Sequence, residues 1–166
     1  MSNRDDQQMI TRNRAAFHNY FVDDEYEAGV ILLKSEVESL REGRVELRDS
    51  YAKFDDGELY MLQAQISRYP DAPPGTNHDP ERRRKLLLRR KQLNRLETKV
   101  DQSGYTLIPL SLYFRGKNVK AKLGLCRGKK QFDKQAEDEK RTKARKMARD
   151  HARHLEQLEH VYDNHT

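Results

Sequence analysis

Two apolar segments, YTLIPLSLYF (105–114) and VKAKLGLC (119–126), stand either side of the turn RGKN (115–118). In the second, Val119, Ala121 and Leu123 alternate with Lys120 and Lys122, the period of a strand with one face buried. Two strands joined by so short a turn must pair antiparallel, which commits the chain to a β core. The remaining segments agree. ELYMLQAQI (58–66) follows Asp55-Asp56-Gly57, a hairpin signal. YEAGVILLK (26–34) reads as a buried strand entering the short helix SEVESLREG, with Ser35 and Glu38 as a capping box and Gly43 as its stop. Residues 47–54 show mixed parity. Leu93, Leu96 and Val100 recur at i, i+3 and i+7, so residues 89–103 form an amphipathic helix ended by Gly104. Five or six short strands and one intervening helix imply a mainly β fold. The expected architecture is a small closed barrel of oligonucleotide-binding type with flanking helices.

The chain is too polar to be globular throughout, with 35% apolar residues, 36% charged and a mean hydropathy of -1.09. Residues 1–12 are therefore assigned to a disordered arm, 13–130 to the barrel and 131–166 to a tail. RAAFHNYF (14–21) supplies the first apolar anchors, and RYPDAPPGTNHDP (68–80), rich in proline, is an exposed loop. No apolar run approaches the roughly 18 residues of a membrane span. The N-terminus lacks the apolar region of a secretory signal. The lone Cys126 excludes an internal disulfide and fits a reducing cytoplasm.

The net charge of +6 is unevenly placed: +3 over residues 1–126, +6 over 127–149 and -3 over 150–166. Basic clusters gain by displacing counterions from phosphate, so a polyanion is the expected partner. The densest cluster in the body is NHDPERRRKLLLRRK (77–91). A short strand over Arg84–Leu88 points Leu86 and Leu88 into the barrel. Leu87 then lies outside among Arg84, Lys85, Arg89 and Arg90, where it can meet a base or ribose while the cations hold phosphates. An equal reading from pattern alone makes all three leucines core and the cations a solvated rim. From Gly128 the sequence has few core-forming residues. It can be written as a helix, with Glu137 and Arg141, and Glu139 and Lys143, four apart, yet such a helix is marginal in water. This tail is expected to be disordered when free and to fold on a polyanionic surface.

Several long motifs resemble the SmpB (small protein B) family. They are NRAAFHNYF (13–21), YEAGVILLKSEVESLREGRVELRDSYA (26–52), NHDPERRRKLLL (77–88), GYTLIPLSLYF (104–114) and VKAKLGLCRGKKQFDK (119–134), followed by a basic tail. The resemblance covers nearly the whole chain, in order. It implies an RNA-binding adaptor that holds the tRNA-like domain of transfer-messenger RNA (tmRNA) near its elbow and stands in for the missing anticodon arm. Such proteins support alanylation of that RNA by alanyl-tRNA synthetase and its delivery, with elongation factor Tu and GTP, to stalled ribosomes. The tail then becomes helical in the decoding region and the empty mRNA channel.

Residue by residue, the resemblance implies RNA contacts at Asn13, Arg14, Glu27, Leu87, Lys120, Gly128, Lys129 and Lys130, with Lys122 beside Lys120, and the basic cluster adds Arg84 and Lys85. A carboxylate facing RNA can accept from a base amino group or a ribose hydroxyl. Without the resemblance, Glu27 reads as an ordinary strand-edge glutamate and His18 as core. Ribosome contacts fall on Phe132, Asp133, Lys134, Lys140, Arg141, Lys143 and Arg145, with Phe132 able to stack on a base. Gln135 replaces a usual arginine, and the acidic end LEQLEHVYDNHT matches no family pattern.

Other classes remain in view. A general single-strand RNA binder would use the same basic face. A ribosomal-protein-like component shares the charge without the motifs. An enzyme would draw on His78-Asp79 or on His151 and His154, but metal-protease, phosphate-loop and Ser/His/Asp signatures are missing from the sequence. The reading is of no catalytic residues, no metal, no cofactor and no membrane.

Overall fold

The computed structural model describes residues 7–129, 141–142, 144–149 and 151, with the side chains of 102–103 excepted. It divides into two compact units, residues 1–128 and 129–166.

The first unit is organised around the hairpin read from the sequence. β8 (Thr106–Arg115) and β9 (Asn118–Gly128) pair from Thr106↔Cys126 to Arg115↔Asn118, turning at Gly116 with φ +61°. The register shifts between Pro109 and Ser111, a bulge where a proline without an N–H can sit in a buried strand. β2 (Tyr20–Val30) lies along the other edge of β9, from Tyr20↔Gly128 to Gly29↔Lys120. β4 (Tyr51–Asp55) and β5 (Glu58–Leu62) form the predicted hairpin, with Asp56 and Gly57 both at positive φ between them. β7 (Arg84–Leu87) bridges β5 and β2, and β4 meets β8 at Ala52↔Leu107. The order β8-β4-β5-β7-β2-β9 thus returns to β8 and closes a ring. Closure pairs the sheet edges that would otherwise invite association.

The interior is aliphatic. Leu59, Met61, Leu86, Leu107, Leu112 and Leu123 are almost completely buried. α3 (Arg90–Ser103) packs against this core with Leu93 and Leu96, and Gly104 ends it in the left-handed region at φ +65°. Two further helices, α1 (Arg14–Asn19) and α2 (Lys34–Arg41), flank the barrel.

Three readings are corrected. Residues 7–12 belong to no disordered arm: Gln7–Arg12 is β1, paired with the outer half of β8 from Gln7↔Arg115 to Arg12↔Ser111, and Ile10 packs on the core. Main-chain pairing is blind to the polar side chains of QQMITR. The strand over 58–66 breaks at Gln63, φ +60°, and its last part, β6 (Gln65–Ile66), pairs with β3 (Val45–Glu46) in a separate small sheet. The cap of α2 also moves. Leu33 is the N-cap, and its N–H donates to Glu36 Oε1 at 2.8 Å. Ser35 is buried instead, its hydroxyl 2.8 Å from His78 Nδ1. His78 Nε2 lies 2.8 Å from the Ile66 carbonyl, an acceptor only, so Nε2 carries the proton and Nδ1 accepts from Ser35. The proline-rich loop is exposed, yet this histidine ties its end to α2 and β6.

The same helix turn holds the most consequential polar contact. Glu36 and Arg84 are fully buried, and Arg84 Nε donates to Glu36 Oε2 at 2.6 Å. Arg84 Nη1 donates to the Ala64 carbonyl at 2.7 Å and Nη2 to the Pro80 carbonyl at 3.1 Å. Arg82 Nη2 donates to Glu36 Oε1 at 2.6 Å. Burial opposes ionisation of Glu36, but donors from Arg82, the Leu33 backbone and Arg84 together hold its carboxyl below the usual 4.5. The stabilisation from this depressed pKa is therefore complete above pH 4.5 and is lost as pH falls below it. Arg84→Met is expected to cost about 3–5 kcal/mol near neutral pH, because it leaves a buried carboxylate short of its partner. In urea unfolding, that deficit should shrink on acidification; a deficit independent of pH would contradict the assignment.

Candidate nucleic-acid interface

Strand register brings distant parts of the sequence into one row on the outer face of the barrel. Leu87 of β7 pairs with Gly29 of β2, and Gly29 pairs with Lys120 of β9. In the neighbouring row, Glu27 pairs with Lys122. The alternation along β7 is as read: Leu86 is 0% exposed and packed in the core, while Leu87 is 49% exposed. A Cβ placed on Gly29 would lie 3.5 Å from Leu87 Cβ and 3.8 Å from Lys120 Nζ. The glycine is a gap between a leucine and an ammonium, where a ligand can reach the β2 backbone.

The electrostatics are graded. Lys120 forms no ion pair with another described residue. Among the described residues, Lys122 has a single long ion-pair contact, to Glu25 at 3.8 Å, and Lys85 one of 3.5 Å to Glu58. Partly exposed pairs of this kind contribute little to stability and can be exchanged for other anions. Glu27 is engaged at both oxygens, Oε2 by the Tyr113 hydroxyl at 2.7 Å and Oε1 by Arg115 Nη1 at 2.9 Å. Each oxygen keeps a further lone pair, so the carboxylate can still accept from a ligand while it aims Arg115 along the face. Burial, then the hydrogen bond and charge of Glu27, push the Tyr113 phenol well above its ordinary 10 and keep it a neutral donor.

Several candidates fall elsewhere. Arg84 cannot hold a phosphate: its side chain is wholly buried and bound to Glu36. It shares the inward parity of Leu86, the signal that could have placed it inside. Asn13 is 5% exposed and caps α1, accepting from the Ala16 N–H and donating to the Leu47 and Pro109 carbonyls at 3.1 and 3.0 Å. That leaves it no surface for RNA. His18 is exposed at the end of α1 rather than core, and Arg14 is exposed at its start. Gly128 is exposed, and an added Cβ there would meet nothing. Lys130, Phe132, Asp133, Lys134, Lys140 and Lys143 lie outside the described residues, and Lys129 opens the second unit. In that unit residues 141–142, 144–149 and 151 are helical, with Arg141 and Arg145 exposed. His78, with both ring nitrogens engaged, serves the loop, and His154 lies outside the described residues. Arg115 and Tyr113 were missed. Counting back from the RGKN turn gives the pairing Tyr113↔Lys120, which was the available clue.

Residues 10–153 match the model of the SmpB protein family. The chain belongs to the SmpB family. Among curated relatives, the SsrA-binding protein of Symbiobacterium thermophilum is 47% identical over 143 residues, covering 86% of this chain and 90% of that protein. The SsrA-binding protein of Desulfitobacterium hafniense is 46% identical, covering 85% and 90%. A solved chain described under "tmRNA-SmpB: a journey to the center of the bacterial ribosome" is 44% identical, with a TM-score of 0.61. That match spans 75% of this chain and 91% of the solved one. The ringed β architecture is thus shared with that solved chain, and the Lys120–Gly29–Leu87 row sits within the region that matches the family.

Replacing Glu27 with Gln removes the charge that opposes the Tyr113 phenolate. The Tyr113 ring signal, followed by NMR through an alkaline titration, should then move at lower pH than in the parent. An unchanged midpoint would mean that the hydroxyl–carboxylate contact does not form in solution.

Proposed function

We propose that this chain is an RNA-binding adaptor that holds the tRNA-like domain of tmRNA and brings it to stalled ribosomes for trans-translation. The observation that supports it most is a cation, a bare backbone and an exposed leucine set side by side across β9, β2 and β7, in a chain whose relatives are SsrA-binding proteins. Lys120, Lys122, Lys85 and Arg115 hold phosphates and fix the orientation of the RNA; Leu87 and the Gly29 gap meet a ribose or base edge. Arg14 adds an exposed cation at the start of α1. Specificity comes from the shape of a folded RNA, since phosphate contacts carry no sequence information.

The tail has a separate task. Arg145 and Arg149 stand four apart in the helical stretch 144–149 and share one exposed face, and Arg141 is exposed as well, a set suited to rRNA in the decoding centre and mRNA channel. Lys129 and Lys130 link the two tasks, and Phe132, Asp133, Lys134, Lys140 and Lys143 extend the ribosomal contact. Elongation factor Tu with GTP and alanyl-tRNA synthetase are reached through the shared RNA, in the cytoplasm. The adaptor performs no chemistry itself. Among the described residues, no helix is long and apolar enough to cross a membrane.

Lys120→Ala should weaken binding of the tRNA-like domain and flatten its log–log salt dependence by about 0.9, the increment for one duplex phosphate contact. Unchanged affinity and slope would remove Lys120 from the interface. Truncation after Lys130 should leave that affinity nearly intact and abolish tagging of stalled proteins in a reconstituted translation system. Loss of affinity would instead move the tail into the primary RNA site.

A further inference from the structure

The face that bears Leu87 does not end at β7. Lys85, two residues before Leu87 and on the same side, pairs with Tyr60 of β5, and Tyr60 pairs with Lys53 of β4. Side chains directly opposite in a sheet share a face, so Lys53, Tyr60 and Lys85 continue the outer surface of Leu87, Gly29 and Lys120. The strip crosses β9, β2, β7, β5 and β4, which are consecutive neighbours in the ring. At about 4.8 Å per strand it is roughly 19 Å long.

Its far end has the chemistry of a stacking site. The Arg83 guanidinium lies over the Tyr60 ring, 3.8 Å from the centroid, and is pinned by Asp55 at 2.7 Å. Arg83 and Lys53 are exposed, and Lys53 forms no ion pair with another described residue. Lys53, Tyr60, Leu62 and Arg83 border an open concavity of about 320 Å³. These groups lie outside the packed interior. The core side of the same strands is filled by Ala52, Leu59, Met61 and Leu86, and exposed positions are ordinarily free to be polar and unstacked. A flat cation held on an aromatic ring offers a platform on which an unpaired base stacks, and flanking ammonium groups reach its phosphates. The carboxylates on this face, Asp55 and Glu58, are each bound to arginine, Arg83 and Arg90.

We propose that the outer face of β4, β5 and β7 is a second contact for the same RNA. An unstacked nucleotide lies on the Tyr60–Arg83 platform, with Lys53 and Lys85 on its phosphates. This rests on the RNA-binding reading of the Lys120–Leu87 row and extends that interface by two strands.

The test uses the full chain and the isolated tRNA-like domain of tmRNA, with affinity measured over a series of salt concentrations for Tyr60→Ile, Tyr60→Phe, Lys53→Gln and Lys120→Ala. Tyr60→Ile keeps a strand-forming side chain but no ring. It should weaken binding by about fivefold or more with the salt slope unchanged, while Tyr60→Phe binds as the parent. Lys53→Gln, at an exposed position, should lower the slope by about 0.7–0.9. If Tyr60→Ile and Lys53→Gln both keep parental affinity and slope while Lys120→Ala is weakened, the second contact is wrong and the first stands. If Lys120→Ala is unchanged as well, the RNA interface itself is misplaced and this inference falls with it.

Discussion

The Glu36 carboxylate ties the first turn of α2 to the segment that enters β7, reinforcing the β2–β7 pairing beside it. It accepts from the Leu33 N–H at the start of α2, from Arg82 in the segment before β7, and from Arg84 within β7. Arg84 in turn reaches the Ala64 and Pro80 carbonyls, closing off the ends of the long proline-rich excursion. Burying ions is costly, and the cost is met only when their hydrogen-bonding groups find partners. That condition holds here: among the described residues no buried side-chain nitrogen or oxygen lacks one. With the inward side of β7 locked, the outward positions Arg83, Lys85 and Leu87 have fixed places on the surface.

Those outward positions matter because the barrel turns sequence distance into adjacency. Gly29, Leu87 and Lys120 are far apart in the chain and neighbours across β2, β7 and β9. Hydrogen-bond register sets their spacing, and the closed ring prevents the strands from slipping. Rigid strands rather than loops thus present the charge. The glutamate in the middle is not an exception to a basic face: with one oxygen on Tyr113 and the other on Arg115, Glu27 fixes a further cation at its rim.

The parts legible in the sequence were those in which local pattern and global fold agree. The Asp56-Gly57 hairpin, the Gly104 stop of α3 and the RGKN turn each require a backbone conformation that few residues adopt, so they announce themselves. The outward Leu87 followed from period two. What failed depended on partners distant in sequence. Arg84 has the inward parity of Leu86 but reads as one more cation in a basic run, because its partner Glu36 lies 48 positions earlier. Asn13 reads as a polar motif residue until the Pro109 carbonyl, 96 positions away, claims its amide. β1 has no hydrophobic pattern because β8 supplies its reason to be a strand.

The central claim is recognition of a folded RNA rather than of phosphate charge in general, since a basic face on a barrel would bind any polyanion to some degree. The most direct measurement is competition at physiological salt. Labelled tRNA-like domain of tmRNA, bound to the protein, is challenged with unlabelled tRNA and with unstructured RNA of equal length. The account predicts that the complex survives a large excess of both and yields only to the unlabelled tRNA-like domain. Equal displacement by unstructured RNA would contradict it and leave a general RNA-binding surface.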